Sequence, residues 1–278
     1  MIKPHLKDDA LLNDIREANR DSASLNLWWL GQSGYLLQTG GSRLLIDPYL
    51  SDSLTKKYAQ TDKPHIRMTE RAVDPARLNF IDAATSSHNH TDHLDAETLL
   101  PLMRVNAGLR VIVPEANRAF AAERLQCLPE RLTGLDAGET ADAAGFRIHA
   151  VPAAHETLET DADGRYAHLG YVIEASGKVV YHSGDTVRYD GMLDWLSPWR
   201  IDAALLPING RNPARRVAGN LSGAEAARLG QEMGAALVVP CHYDMFEFNT
   251  IPPDRFADEC ERIGQPYRVL ECGEQLRL

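Results

Sequence analysis

The sequence predicts a layered α/β protein folded as one domain, and three patterns carry that expectation. Short β-type apolar runs alternate with amphipathic helical stretches over most of the chain. Glycines punctuate the first runs in the manner of a meander. No internal repeat, low-complexity tract or Gly/Ser/Pro linker divides the 278 residues. By length alone the chain would fit one domain or two. Either way it is long enough to bury a large core without disulfides.

Taken in order, Leu11, Leu12 and Ile15 recur at helical spacing among charges, so Leu6 to Asn19 is expected as a surface helix within an N-terminal extension over residues 1–24. Leu25 to Leu30, Tyr35 to Gln38 and Arg43 to Ile46 are strands of an antiparallel meander, separated by Gly31, Gly34, Gly40 and Gly41. Ser51 to Pro75 is polar and mixed, a long loop with room for a short helix. Further strands are expected at Asp82–Ser87, Leu109–Val113, Phe146–Val151, His168–Glu174, Lys178–His182, Asp202–Leu206 and Ala236–Cys241. Helices are expected at Asp95–Val105, Glu115–Leu125, Ala224–Met233 and Pro253–Ile263. Ser222-Gly-Ala-Glu225 has the capping-box pattern, in which each side chain satisfies a backbone N–H of the first turn.

Lysine and arginine number 29 against 39 acidic residues, a net charge of −10. That balance argues against a dedicated nucleic-acid binder, whose surface needs a basic excess. Cys127, Cys241, Cys260 and Cys272 form no CxxC pair and read as free thiols of a reducing compartment. The N-terminus lacks the apolar segment of a signal peptide, and no apolar run reaches the roughly 18 residues needed to span a membrane. A cytoplasmic protein that does not engage membranes is the expectation.

The densest chemistry lies in Ser87-His-Asn-His-Thr-Asp-His-Leu-Asp95, between an expected strand and an expected helix. Residues i and i+2 of an extended segment point the same way, so His88 and His90 can approach one metal together. Asp92 and His93 can then swing toward a second point. His155, Asp185 and His242 follow later strands in the same manner, and loops at one end of an α/β sheet converge in space. This is enough for two divalent ions, one taking His88, His90 and His155 and the other Asp92, His93 and His242. Asp185, with two oxygens, can bridge them. Imidazole and carboxylate ligands suit zinc, manganese or iron, and no thiolate biases the choice. Any one of these histidines alone reads as an ordinary core or surface residue; the set does not. His149 and His182 lie inside strands and are expected to be packed and hydrogen-bonded, while His5 and His65 sit in polar surroundings and are expected to be solvated. For His168, facing the site and packing in the core both stay open.

At this point the sequence resembles the metallo-β-lactamase superfamily. His88-Asn-His90-Thr-Asp92-His93 is similar to its HxHxDH motif, and His155, Asp185 and His242 fall at its later ligand positions in order. The resemblance runs from Trp28 to Cys272 and implies a four-layer αββα sandwich with a dinuclear site at one edge of the sheets. Trp28-Trp-Leu-Gly31, Tyr181-His-Ser-Gly-Asp-Thr186 and Val238-Val-Pro-Cys-His-Tyr-Asp244 further resemble the L-ascorbate-6-phosphate lactonase group. That likeness implies the same seven ligands, manganese, a phosphorylated sugar lactone as substrate, and homo-oligomers. The chain departs from the group around Ser51–Pro75 and in the 36 residues after His242, both of which bear on the pocket.

Several residues are candidates for contact with a small anionic substrate. Arg211, between the Asp185 and His242 loops, could grip an anion by paired hydrogen bonds, with Arg215 and Arg216 as weaker candidates. Asn209 and Asn220 are polar contacts or turn formers. Tyr243 could donate a hydrogen bond to a developing oxyanion, or simply pack beside His242. Asp47, ending a strand before Pro48, is expected to orient a ligating histidine from behind or to form a turn. Asp161-Ala-Asp163-Gly is expected as a hairpin turn, since the rest of a calcium loop is missing. The expected chemistry is hydrolysis by a hydroxide held between two metals, with Asp92 orienting the nucleophile and accepting its proton and Asp185 bridging. The rivals are a phosphodiesterase or RNA-processing nuclease, a di-iron redox protein, and a non-catalytic metal-binding protein.

Overall fold

The computed structural model describes residues 1–19 and 24–278. The expected extension over residues 1–24 therefore includes four, 20–23, that lie outside the described residues. Its helix α1 spans Asp9–Ala18 and buries Leu11, Leu12 and Ile15, the apolar stripe read from the sequence. It is tied to the first sheet by Trp28 Nε1 donating to Asp14 Oδ2 at 2.8 Å and Gln38 Nε2 donating to the Ile15 carbonyl at 3.1 Å.

Strands β1 (Asn26–Gly31), β2 (Gly34–Thr39) and β3 (Ser42–Ile46) form the expected antiparallel meander. Thr39 pairs with Ser42 across a two-residue turn, where Gly40 and Gly41 both take the positive φ that such a turn demands. After the short helix α2 (Ser53–Tyr58), β4 (Ala83–Thr85), β5 (Arg110–Pro114) and β6 (Leu132–Leu135) add in parallel. Their crossovers carry α3 (Ala96–Val105) and α4 (Arg118–Arg124). β4 has three residues, all buried, as befits a parallel strand in the middle of a sheet covered on both faces.

The second sheet is an antiparallel run of β7 (Thr140–Ala143), β8 (Phe146–Pro152), β9 (Leu169–Ala175) and β10 (Lys178–His182). It continues in parallel through α5 (Met192–Leu196), β11 (Ala203–Pro207), α6 (Gly223–Glu232) and β12 (Val238–Cys241). α7 (Asp254–Ile263) packs on α6, and β13 (Gln275–Arg277) returns to the edge of the first sheet beside β1. The seven-stranded and six-stranded sheets face each other over a core that includes Trp28, Tyr35, Phe146, Tyr171 and Tyr181, giving helix, sheet, sheet, helix.

Ser222 and Glu225 make both hydrogen bonds of the capping box at the start of α6. The expected helix Glu115–Leu125 instead opens with a 3₁₀ turn over Glu115–Asn117 before α4. β6, β7, β13 and α5 were not legible: each is five residues or fewer. Leu-Thr-Gly-Leu and Thr-Ala-Asp-Ala also lack the aromatic and branched density that marks a strand. Asp161 to Gly164 forms the expected turn, bracketed by the bridge between Thr160 and Tyr166.

Candidate metal centre

Each of the seven expected ligands follows a strand, and all of them meet at one edge of the two sheets. His88, His90, Asp92 and His93 follow β4, His155 follows β8, Asp185 follows β10 and His242 follows β12. Three groups have ligand atoms within 4.8 Å of one another: His88, His90 and His155; His88, His93 and Asp185; and Asp92, His93 and His242. Asp185 sits between them, with Oδ1 3.3 Å from His93 Nε2 and Oδ2 3.3 Å from His242 Nε2 and 3.6 Å from His155 Nε2. Asp92 Oδ2 is 3.7 Å from His93 Nε2 and 3.6 Å from His242 Nε2.

Backbone geometry aims these side chains. Gly184 has φ +61, and a Cβ there would stand 2.8 Å from the Leu169 carbonyl oxygen, so the turn that delivers Asp185 requires glycine. His242 itself has φ 62, an uncommon conformation for a residue with a side chain.

Hydrogen bonds from behind settle which imidazole nitrogen faces the centre. Asp47 Oδ2 lies 2.6 Å from His93 Nδ1, and Asp47 Oδ1 accepts from the Ser87 N–H at 2.8 Å. His155 Nδ1 is 3.0 Å from the Gly219 carbonyl oxygen and His88 Nδ1 is 3.0 Å from Ser87 Oγ. The opposite nitrogens are left for the centre. His88 Nε2 is buried with no hydrogen-bond partner, and His93 Nε2 and Asp185 Oδ1 are buried with only their 3.3 Å approach to each other. Buried polar atoms without a partner are costly, and this donor set of imidazoles around a carboxylate fits a divalent cation.

The electrostatics differ from one ligand candidate to the next. Burial, with His93 and His90 beside it, holds the His88 pKa well below the usual imidazole value, which favours the neutral, ligating form. Burial also opposes charge on His93, but Asp185, Asp92 and Asp47 outweigh it and raise its pKa. Burial would raise Asp185, yet His242 and His93 carry it well below the carboxylate range.

Above the cluster opens a cavity of about 480 Å³, with His90, Asp92, His155, Asp185 and His242 on its floor. The expected substrate contacts divide. Asn209 lines it, its amide donating to Asn249 Oδ1 at 3.1 Å. Arg211 does not: it pairs with Glu225 at the start of α6 and faces a separate surface depression. Arg216, in the same loop, faces the cavity and pairs with Asp62. Arg215 donates to the carbonyls of Asn209 and Thr250 and holds the loop together. Tyr243 turns away, stacked on Trp29 at 4.4 Å with its hydroxyl donating to the Leu270 carbonyl, so it packs beside His242 rather than reaching the centre. Cys241 points into the core near Ser33, as strand alternation predicts. Both strand histidines are hydrogen-bonded as expected, His149 to Glu174 on the neighbouring strand β9, and His182 to the Ser33 carbonyl of the β1–β2 turn across the sandwich and to the Gly184 N–H. His65 corrects its expectation: it is half-buried, stacked on Tyr58 at 4.2 Å and edge-on to Phe246 and Phe248.

Two residues of the centre were missed or left open. Gln32, in the turn between β1 and β2, donates from Nε2 to Asp92 Oδ2 at 2.7 Å and lies 3.0 Å from His242 Nε2. Its carbonyl accepts from the His242 N–H at 2.9 Å. In the sequence Gln32 sits in Gly31-Gln-Ser-Gly34, whose glycines mark a turn and nothing more. His168 is buried against His88, with ring centroids 5.0 Å apart and Nδ1 unpartnered.

A sandwich of this layering, with a histidine and aspartate cluster at the shared edge of its sheets, defines a protein of the metallo-β-lactamase type. Residues 42–243 match the model of the beta-lactamase superfamily domain. The chain belongs to that family. A UPF0173 metal-dependent hydrolase of Opitutus terrae is 30% identical over 262 residues, covering 91% of this chain and 100% of the relative. A protein of Escherichia coli named probable L-ascorbate-6-phosphate lactonase UlaG is 24% identical, covering 85% of this chain and 74% of the relative. The metallo-β-lactamase fold protein YhfI of Bacillus subtilis superposes with a TM-score of 0.66 at 19% identity, over 92% of this chain and 99% of that one. That last likeness is one of fold, and it agrees with the four-layer sandwich expected from the sequence. Among the described residues no helix is long and apolar enough to cross a membrane.

Proposed function

We propose that this metal-dependent hydrolase cleaves a small ester or lactone at a centre of two divalent ions. The observation that carries the reading is the buried cluster of His88, His93 and Asp185, whose ligand atoms lie within 4.8 Å of one another beneath a cavity sized for a small molecule. His88, His90 and His155 would hold one ion, and Asp92, His93 and His242 the other, with Asp185 between them. When bound, the ions supply Lewis acidity toward water and toward the substrate's carbonyl oxygen, and manganese, zinc and iron all suit the donor set.

The chain's own residues do the rest. Asp47 and the Gly219 carbonyl keep Nδ1 of His93 and His155 protonated, so that Nε2 of each stays a lone-pair donor. Gln32 holds Asp92 Oδ2, and Asp92 Oδ1 accepts the proton of the attacking water. Burial opposes charge on Asp92, but His93 and His242 outweigh it and keep the carboxylate ionised. Asn209 lines the cavity and borders the bound substrate. The name of the Escherichia coli relative supports a lactone within this class.

The test joins metal analysis of the purified protein to a panel of lactones, simple esters and bis-(p-nitrophenyl) phosphate. Hydrolysis of esters or lactones that a chelator abolishes and added metal restores is the expected result. Cleavage of the phosphodiester alone would sink the reading.

A further inference from the structure

The wall of the cavity carries apolar side chains that hydrolysis does not use. Leu54 and Tyr58 come from α2, Phe246 and Phe248 from the segment after β12, Phe120 from α4, and Val217 from the loop before α6. On one side the rings brace one another through His65, which stacks on Tyr58 and lies 4.4 Å from Phe248 and 5.2 Å from Phe246. Phe120 and Val217 remain 43% and 38% exposed although both line the cavity. Apolar area left open at a binding cavity is area that a ligand gains by covering.

The polar groups of the same wall are largely engaged already. Asn209 and Asn249 bond to each other, and Arg216 pairs with Asp62. Arg124 donates to the carbonyls of Asn89 and Leu94 while resting 4.5 Å from the centre of the Phe120 ring. Of the lining cations, Lys57 alone makes no ion pair or hydrogen bond among the described residues, and its ammonium lies 5.1 Å from the centre of the Tyr58 ring. A phosphorylated, polyhydroxylated sugar calls for a forked cation and several free donors and acceptors. This wall offers a ring surface and one unpaired positive charge instead.

Resting on the ester or lactone reading, we propose that the substrate carries an aromatic ring, seated between the Tyr58–His65–Phe248 side of the cavity and Phe120 at its mouth. The wall is then the specificity-determining surface, and the metal cluster is indifferent to the substituent.

Two measurements on the metal-loaded protein test this. The first compares kcat/KM for γ-phenyl-γ-butyrolactone, γ-butyrolactone and 6-phosphogluconolactone. Burying a phenyl group is expected to favour the first over the second by about 30-fold or more. The second is calorimetric binding of phenylacetate, acetate and 6-phosphogluconate, product-like probes that require no turnover. Phenylacetate is expected to bind about tenfold tighter than acetate, and Phe120→Ala and Phe248→Ala each to shrink that preference. Phe120 is half exposed, so its variant does not depend on core repacking. A phenyl preference below about threefold in binding, or 6-phosphogluconate as the tightest ligand, overturns the proposal. If no lactone or ester is cleaved, the hydrolytic reading fails separately, and the binding series still decides whether the wall selects a ring.

Discussion

The floor and the wall of the cavity are built by opposite means. The floor is a set of side chains at strand ends, mostly buried, with Asp47, Ser87 and the Gly219 carbonyl bonded to the far sides of His93, His88 and His155. The wall comes from segments distant in sequence, around residues 54–65, 120, 216–218 and 246–249, and is held by ring contacts and exposed ion pairs. Strand ends are fixed by two sheets, so the floor is rigid and its chemistry is common to any substrate. Loops can be exchanged without disturbing the sheets, so the wall is where one member of such a fold differs from another.

That contrast can be broken at several points, beginning with the floor. Asp185→Ala removes the carboxylate common to the proposed ligand groups and should lower kcat/KM by about a thousandfold, some 4 kcal/mol, together with bound metal. Kinetics paired with elemental analysis reads both, and full turnover with two ions still bound would remove Asp185 from the centre. Asp47→Asn keeps the shape but weakens the hold on His93, and should cost about 10–100-fold in metal affinity by competition with a chelator. An unchanged affinity would make Asp47 a turn former only.

Gly184→Ala forces a Cβ to within 2.8 Å of the Leu169 oxygen at a positive φ. It should lower stability by about 1–3 kcal/mol in denaturant unfolding and displace Asp185. Arg211→Ala probes a residue outside both floor and wall. Its pair with Glu225 is partly exposed, so stability should change by less than about 1 kcal/mol and kcat/KM by less than about twofold. A tenfold loss of activity would return Arg211 to the substrate.

Most of the floor was legible in the sequence, because four potential ligands in six residues after a strand, and single histidines or aspartates after later strands, are local signals. Gln32 was not, since nothing in a Gly-Gln-Ser-Gly turn announces that its amide reaches Asp92. Tyr243 and Arg211 were placed near the site because their sequence neighbours are. His242 and Asp244, on either side of Tyr243, both adopt positive φ, which turns the chain between them and sends the Tyr243 ring onto Trp29. His65 was read as solvated from its polar neighbours, but the rings that bury it arrive from α2 and from the segment after β12.

The sequence by itself determined the layered α/β class, the opening meander, most strands and helices, and the order in which seven ligand candidates reach one edge. These follow from periodicity, turn residues and caps, which act over a few residues. The tertiary structure alone decided which side chains behind the floor hold it, which arginine of the 211–216 loop faces the cavity, and that the cavity has an aromatic wall. Those depend on contacts between segments up to roughly two hundred residues apart, such as Gln32 with His242, and a contact of that kind leaves no local pattern to read.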